Sequence, residues 1–152
     1  MINDPGSFPE PPPLSFGHVT LRFSHIIPQD EPRGFVPAYH FRIVLWEGVD
    51  VGHVNFRIGD TEHVLLCAGH IGYAINPDQR GRGYAFEACQ AIAPFVRKLR
   101  ETAIITADPD NFASLRTIEK LGARFLNEIL VPVDDPHYLH GSRFKRRYEW
   151  SP

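Results

Sequence analysis

The sequence is poor in the residues that several function classes require. Cysteine occurs only twice, as Cys67 in a strand-like run and Cys89 in a helix-like run. Thiols so placed read as reduced, structural, small hydrophobes. Neither sign of charge is in surplus: 16 Lys and Arg against 18 Asp and Glu leave a net charge of -2, which argues against a dedicated nucleic-acid partner or an anionic membrane surface. No apolar run approaches the roughly 18 residues needed to span a bilayer, and the N-terminus lacks the basic and apolar regions of a secretion signal. The expectation is a soluble, cytoplasmic protein with no membrane partner.

What is present suffices for one domain. A chain of 152 residues, 43% hydrophobic, can bury a real core. Five prolines between Asn3 and Pro13 exclude helix and sheet interior, so residues 1–17 read as a proline-rich tail, extended or disordered, ahead of a single domain at 18–152. Val19, Leu21 and Phe23 alternate with polar residues as a half-buried strand does. Pro28, Pro32, Gly34 and Pro37 then leave room only for a loop or a single turn. Tyr39 to Leu45 and Val54 to Ile58 form a hairpin, and the chain passes through Val64 and Cys67 to a strand ending at Ile75.

A helix follows, with Tyr84, Ala88, Ala91, Ile92, Phe95 and Leu99 as its apolar stripe and Pro94 expected to kink it. After a short strand at Ala103 to Thr106, Asp108-Pro109-Asp110-Asn111 can cap a second helix with Leu115, Ile118 and Leu121 inward and Gly122 at its end. Strands at Arg124 to Val133 and Phe144 to Trp150 complete a ββββαβαββ order.

The stretch with chemical content is Asn76 to Ala85. Gly81 and Gly83 let backbone approach a ligand, and the orphan N–H groups of the next helix favour an anion, phosphate above all, with Arg80 and Arg82 adjacent. An ordinary strand-to-helix turn with solvated arginines is the other reading. A dinucleotide fingerprint is excluded, because the third position after Gly83 is Phe86.

Arg80-Gly81-Arg82-Gly83-Tyr84-Ala85 resembles the Arg/Gln-x-x-Gly-x-Gly/Ala signature of the GNAT superfamily of acyl-CoA-dependent N-acetyltransferases, and Asn111 to Ala123 resembles its second signature, Asn-x-x-Ser-x-Arg-x-x-Glu-Lys-x-Gly. The resemblance covers roughly Val19 to Trp150. It implies an α+β fold with a mixed, mostly antiparallel sheet flanked by helices, here with a shortened first helical segment. It implies acetyl-CoA (coenzyme A) as cofactor: amides of Arg80, Gly81, Arg82, Gly83, Tyr84 and Ala85 on the pyrophosphate, the strand edge at Ile75 on the pantetheine arm, and Asn111 and Ser114 beside them. A plain helix cap is the other reading of Asn111 and Ser114.

The implied function is N-acetyl transfer to a primary amine of a small molecule or a peptide N-terminus. A non-catalytic acyl-CoA-binding or regulatory domain is the alternative.

The tyrosine that many members carry as general acid, seven residues after the motif asparagine, is Ile118 here, as in the branch resembling ribosomal-protein N-terminal acetyltransferases. Tyr73 is the replacement considered, against a packing role. For the base, His70 is placed first, ahead of Glu62, His53 and Asp108, with a structural histidine as its alternative. The proline-broken segment before Tyr39 leaves the acceptor cleft open, or closed by a second subunit of a homodimer. No metal is expected, since no cysteine completes a ligand set with His137 and His140. Arg143, Lys145, Arg146 and Arg147 read as a solvated strand edge.

Overall fold

The computed structural model describes residues 8–152. Five strands form one antiparallel sheet in the order β1-β2-β3-β4-β5: β1 (Leu14–Phe16), β2 (Val19–Ile27), β3 (Ala38–Leu45), β4 (Asp50–Arg57) and β5 (Ile71–Ile75). α1 (Tyr84–Leu99) leads to β6 (Ala103–Ala107), α2 (Phe112–Lys120), β7 (Arg124–Leu130), the single turn α3 (Pro136–Leu139) and β8 (Phe144–Trp150). The last three strands pair antiparallel in the order β6-β8-β7. This is the α+β architecture expected, with a 3₁₀ turn at Glu31–Arg33 as the only helical piece between β2 and β3.

The core lies between α1 and one face of the five-stranded sheet. Tyr39, Phe41 and Phe56 alternate with polar neighbours, so all three project to that face, where Phe95 of α1 meets them edge-on at centroid distances of 4.9, 6.4 and 6.0 Å. Each fully buried ring of this kind contributes about 2–3 kcal/mol. Pro94 sits on the exposed side of a continuous α1, where the bond withheld from the Gln90 carbonyl is least costly. Both cysteines are buried and free, and burial pushes their thiols up to about 12.

Four expectations are corrected. Leu14–Phe16, assigned to the tail, pairs with β2, and Leu14 is buried; Phe8 lies edge-on to Tyr39, whose hydroxyl donates to the Pro9 carbonyl at 2.6 Å. Proline forbids ladder bonds at its own residue, not at the apolar positions just beyond. Only the first seven residues of the expected tail, Pro5 among them, lie outside the described residues.

His63–Ala68, expected in extended chain, is a π-helical turn with Val64 and Cys67 fully buried on one side. Its five consecutive apolar residues, Val64 to Ala68, carry no period that separates helix from strand.

The strand begun at Arg124 ends at Leu130 rather than Val133, giving way to the loop that carries α3.

β8 is the central strand of its sheet, not an edge, and Lys145 is buried with its ammonium 2.7 Å from Asp108.

Candidate active site

The two sheets touch at one point and then part. At His70 the backbone N–H donates to the Ile104 carbonyl at 2.7 Å, and beyond it β5 has no ladder partner on the side facing β6. This divergence opens two adjoining clefts.

The first cleft, of about 450 Å³, is lined by Tyr73, Ile75, Arg80, Gly81, Gly83, Tyr84, Ala85, Asn111 and Ser114, together with Gln79, Arg116, Thr117 and Lys120. Gly81 and Gly83 have φ of 80° and 81°, and a Cβ on either would meet nothing within 4 Å, so their backbone faces open space. Gly83 precedes the helix with no side-chain cap, and Glu87 is the first to bond back, to the Gly83 carbonyl at 3.0 Å. The amides of Tyr84, Ala85 and Phe86 are therefore left for a ligand.

Arg80 reaches back, its Nε donating to the Ile75 carbonyl at 2.9 Å. Arg82 is exposed and does not line the cleft, so the charge expected from it comes instead from Arg116 and Lys120. Those two stood within the second signature without an assigned role. The cradle of amides and positive charge, with a strand edge left open at Tyr73 but engaged by Arg80 at Ile75, fits the pyrophosphate and pantetheine arm of coenzyme A.

Asn111 caps α2, its Oδ1 accepting from the Ser114 N–H at 3.2 Å, while also lining the cleft. The Ser114 hydroxyl lies 2.7 Å from the Tyr73 hydroxyl. Burial raises the Tyr73 pKa, with the Ser114 bond working the other way, so the phenol is protonated across the physiological range. Ile118, where many relatives would carry the acid, is fully buried in the core.

The second cleft, of about 280 Å³, shares Tyr73, Asn111 and Ser114 with the first and extends to His53, Asn55, Arg57, Thr106, Asp108, His137 and Lys145. His53, Asn55 and Arg57 alternate along β4 and so share its outward face.

Burial pushes the His53 pKa down, with the charges of His40, Arg42 and Arg57 adding to it, and no hydrogen bond engages its ring among the described residues. Burial and the Lys145 charge push His137 down to about 4. Burial alone would raise the Asp108 carboxyl, but bonds from Lys145 and Ser142, each 2.7 Å, hold it below its usual value.

His70 is not in either cleft. It is fully buried, its Nδ1 accepts the Ile104 N–H at 2.8 Å and its Nε2 donates to Asp60 at 2.8 Å, so neither nitrogen is free to take a proton from an acceptor. The strand position suggested proximity to the chemistry; the side chain instead turns into the junction of the sheets. Glu62 is exposed and also absent from both clefts. Sequence reasoning gave Arg57 no role and weighed His137 only as half of a metal pair, since only folding brings β4 and α3 together. Among the described residues no cluster suited to a metal occurs, and no helix is long and apolar enough to cross a membrane.

Known proteins share this fold. The family model for the acetyltransferase (GNAT) domain matches residues 7–124. The uncharacterized N-acetyltransferase YnaD of Bacillus subtilis (strain 168) is 36% identical over 76 residues, which is 49% of this chain and 42% of YnaD, so the match spans less than half of that relative. The acetyltransferase from Agrobacterium tumefaciens str. C58 has the same fold, with a TM-score of 0.64 at 19% identity over 95% of this chain and 97% of its own. The microcin C7 self-immunity acetyltransferase MccE, solved with acetyl-CoA and AMP, superposes with a TM-score of 0.59 at 19% identity over 76% of this chain and 61% of its own. With a glycine-flanked amide cradle at the start of α1 and a family match over most of its length, this chain belongs to the GNAT acetyltransferase domain family.

Proposed function

We propose that the protein moves the acetyl group of acetyl-CoA to a primary amine by direct attack on the thioester. The observation that carries this is the meeting of the two clefts at Tyr73 and Ser114, which sets a cofactor-shaped cradle beside a polar acceptor cavity. Acetyl-CoA, when bound, supplies the activated acyl group.

The chain's own residues supply position and proton movement. Amides at Gly81 to Phe86 hold the diphosphate, and the edge of β5 aligns the arm toward Tyr73. His53 takes the proton of the acceptor ammonium, directly or through a water: its neutral ring opens to the cavity, whereas Asp108 is engaged by Lys145 and His137 is the weaker base. Tyr73 returns a proton to the departing sulfur, in place of the tyrosine absent at Ile118.

Thiol release from acetyl-CoA across a panel of amines tests this reading. Turnover with at least one amine is expected, with an acidic limb in the pH profile of kcat that His53→Gln removes. Coenzyme A binding by calorimetry with no turnover on any amine or peptide would favour a non-catalytic acyl-CoA-binding domain instead.

A further inference from the structure

The acceptor cavity holds a cation with no anion to match it. Arg57 ends β4, and its Nη1 donates to the carbonyls of Ala68 and Gly69 at 3.1 and 3.2 Å. Those bonds tie down one end of the guanidinium fork. Nη2 and Nε have no protein acceptor among the described residues, yet no fully buried side-chain donor is left unsatisfied there. These N–H groups therefore keep some exposure, and the cavity is the one that Arg57 lines.

No carboxylate lies within salt-bridge distance of Arg57 among the described residues. The one carboxylate lining the cavity, Asp108, is taken by Lys145 and Ser142. Of the remaining titratable groups there, Tyr73 keeps its proton, and the pKa values of His53 and His137 are pushed down toward the neutral ring, with the Arg57 charge contributing to both histidine shifts. The cavity thus carries one uncompensated positive charge.

The neighbouring strand is built around that group. A Cβ at Gly72 would lie 2.8 Å from both Nη1 and Nη2, so that edge of the guanidinium closes on the β5 backbone only because residue 72 has no side chain, and the Nε–Nη2 side is the one left open. A planar fork fixed at one end and open at the other suits a carboxylate or phosphate oxygen pair.

Resting on the acetyl-transfer reading above, we propose that the acceptor is a small amine bearing an oxyanion group, carboxylate or phosphate, which Arg57 binds while the amine turns toward His53 and Tyr73. A cavity of about 280 Å³ accommodates an acceptor of this size, and it discriminates by charge.

Matched pairs test it: an amino acid against its carboxamide, and an aminoalkyl phosphate against the amino alcohol. For wild type, kcat/KM on at least one anionic member should exceed its neutral partner by ~10- to 100-fold, the range of a charge-assisted bidentate contact. Arg57→Gln and Gly72→Ala should both collapse that ratio toward one, the second by displacing the guanidinium without removing it. Arg57→Lys should restore part of it.

Coenzyme A affinity by calorimetry, unchanged in each variant, reports that fold and cofactor cleft are intact. Equal or better turnover of the neutral members, a preference for peptide N-termini, or loss in both members alike on Arg57→Gln would overturn the proposal. If no amine turns over at all, the acetyl-transfer reading fails on its own. Titration of the anionic amines into the coenzyme-loaded protein then decides the site: Arg57-dependent binding supports it, and no binding sinks it.

Discussion

His70 and Ile104 bind each other twice. The His70 backbone N–H donates to the Ile104 carbonyl at 2.7 Å, and the Ile104 N–H donates to His70 Nδ1 at 2.8 Å. An acceptor at Nδ1 fixes the neutral tautomer with the proton on Nε2, and that N–H donates to the Asp60 carboxylate. One side chain thereby pins the two sheets at the point from which they diverge.

His70→Ala should therefore cost stability rather than chemistry. Losing a buried imbalance-free imidazole leaves the Ile104 N–H unpaired and a cavity behind, together about 2–4 kcal/mol. For a chain of this size that lowers Tm by roughly 6–12 °C. At temperatures where the variant is folded, the shape of its pH-rate profile should match wild type; a lost acidic limb would return His70 to the base role.

The amide cradle depends on two residues in the left-handed region. Gly83→Ala places a Cβ on a backbone at φ 81°, and although space is open there, the conformation itself is costly by about 1–2 kcal/mol. The turn should relax away from the geometry that presents its amides. Calorimetry should show coenzyme A binding weaker by ~10-fold or more, with little change in Tm.

Much of this was legible before folding. Strand alternation at Tyr39 to Leu45 and the cap at Asn111 were readable because each is written in a local period or a single side chain. The cradle was readable because its glycines and the asparagine helix form spaced motifs. What escaped was whatever depends on a partner distant in sequence. His70 looked functional from its strand, and only the approach of Ile104 shows both nitrogens engaged. Lys145 looked solvated from its run of cations, until β8 proved central and Asp108 came within 2.7 Å. The turn at His63 to Ala68 was ambiguous by composition, since β-strands and buried helical turns draw on the same apolar residues.

Tyr73→Phe separates acid catalysis from packing. The ring and its burial are kept, while the hydroxyl that meets Ser114 is lost. A positioned proton donor contributes typically ~100-fold or more. We expect kcat to fall by that order with KM for acetyl-CoA nearly unchanged, in a continuous thiol-release assay. Equal loss in binding and turnover would mean that Tyr73 only shapes the cleft.

Stability should depend on pH through the histidines. His70, His53 and His137 all have folded pKa values below that of a free imidazole, His137 at about 4. The unfolded chain then takes up protons first, so stability is complete above about pH 6.5 and declines as pH falls from there toward 4. Discounted for partial exposure, the His137 share is about 1–2 kcal/mol. Urea midpoints should drop between pH 7 and pH 5, and His137→Gln should flatten part of that slope.

The Lys145 and Asp108 pair offers the sharpest energetic test, because its members differ in exposure. The Lys145 side chain is 9% exposed and that of Asp108 is 36% exposed, so the pair is neither a surface bridge nor a sealed one. Lys145→Met removes the ammonium and leaves Asp108 with only Ser142, in a cavity wall that burial already makes hostile to a carboxylate. Asp108→Asn leaves the ammonium buried without its anion, which is the costlier change because Lys145 has less water to turn to. We expect losses of about 1–2 kcal/mol for the first and about 2–3 kcal/mol for the second, measured by urea denaturation at pH 7. The double variant should recover about 1 kcal/mol or more of the summed loss, since neither partner is then stranded. Additive losses would mean that the two side chains stand together without coupling.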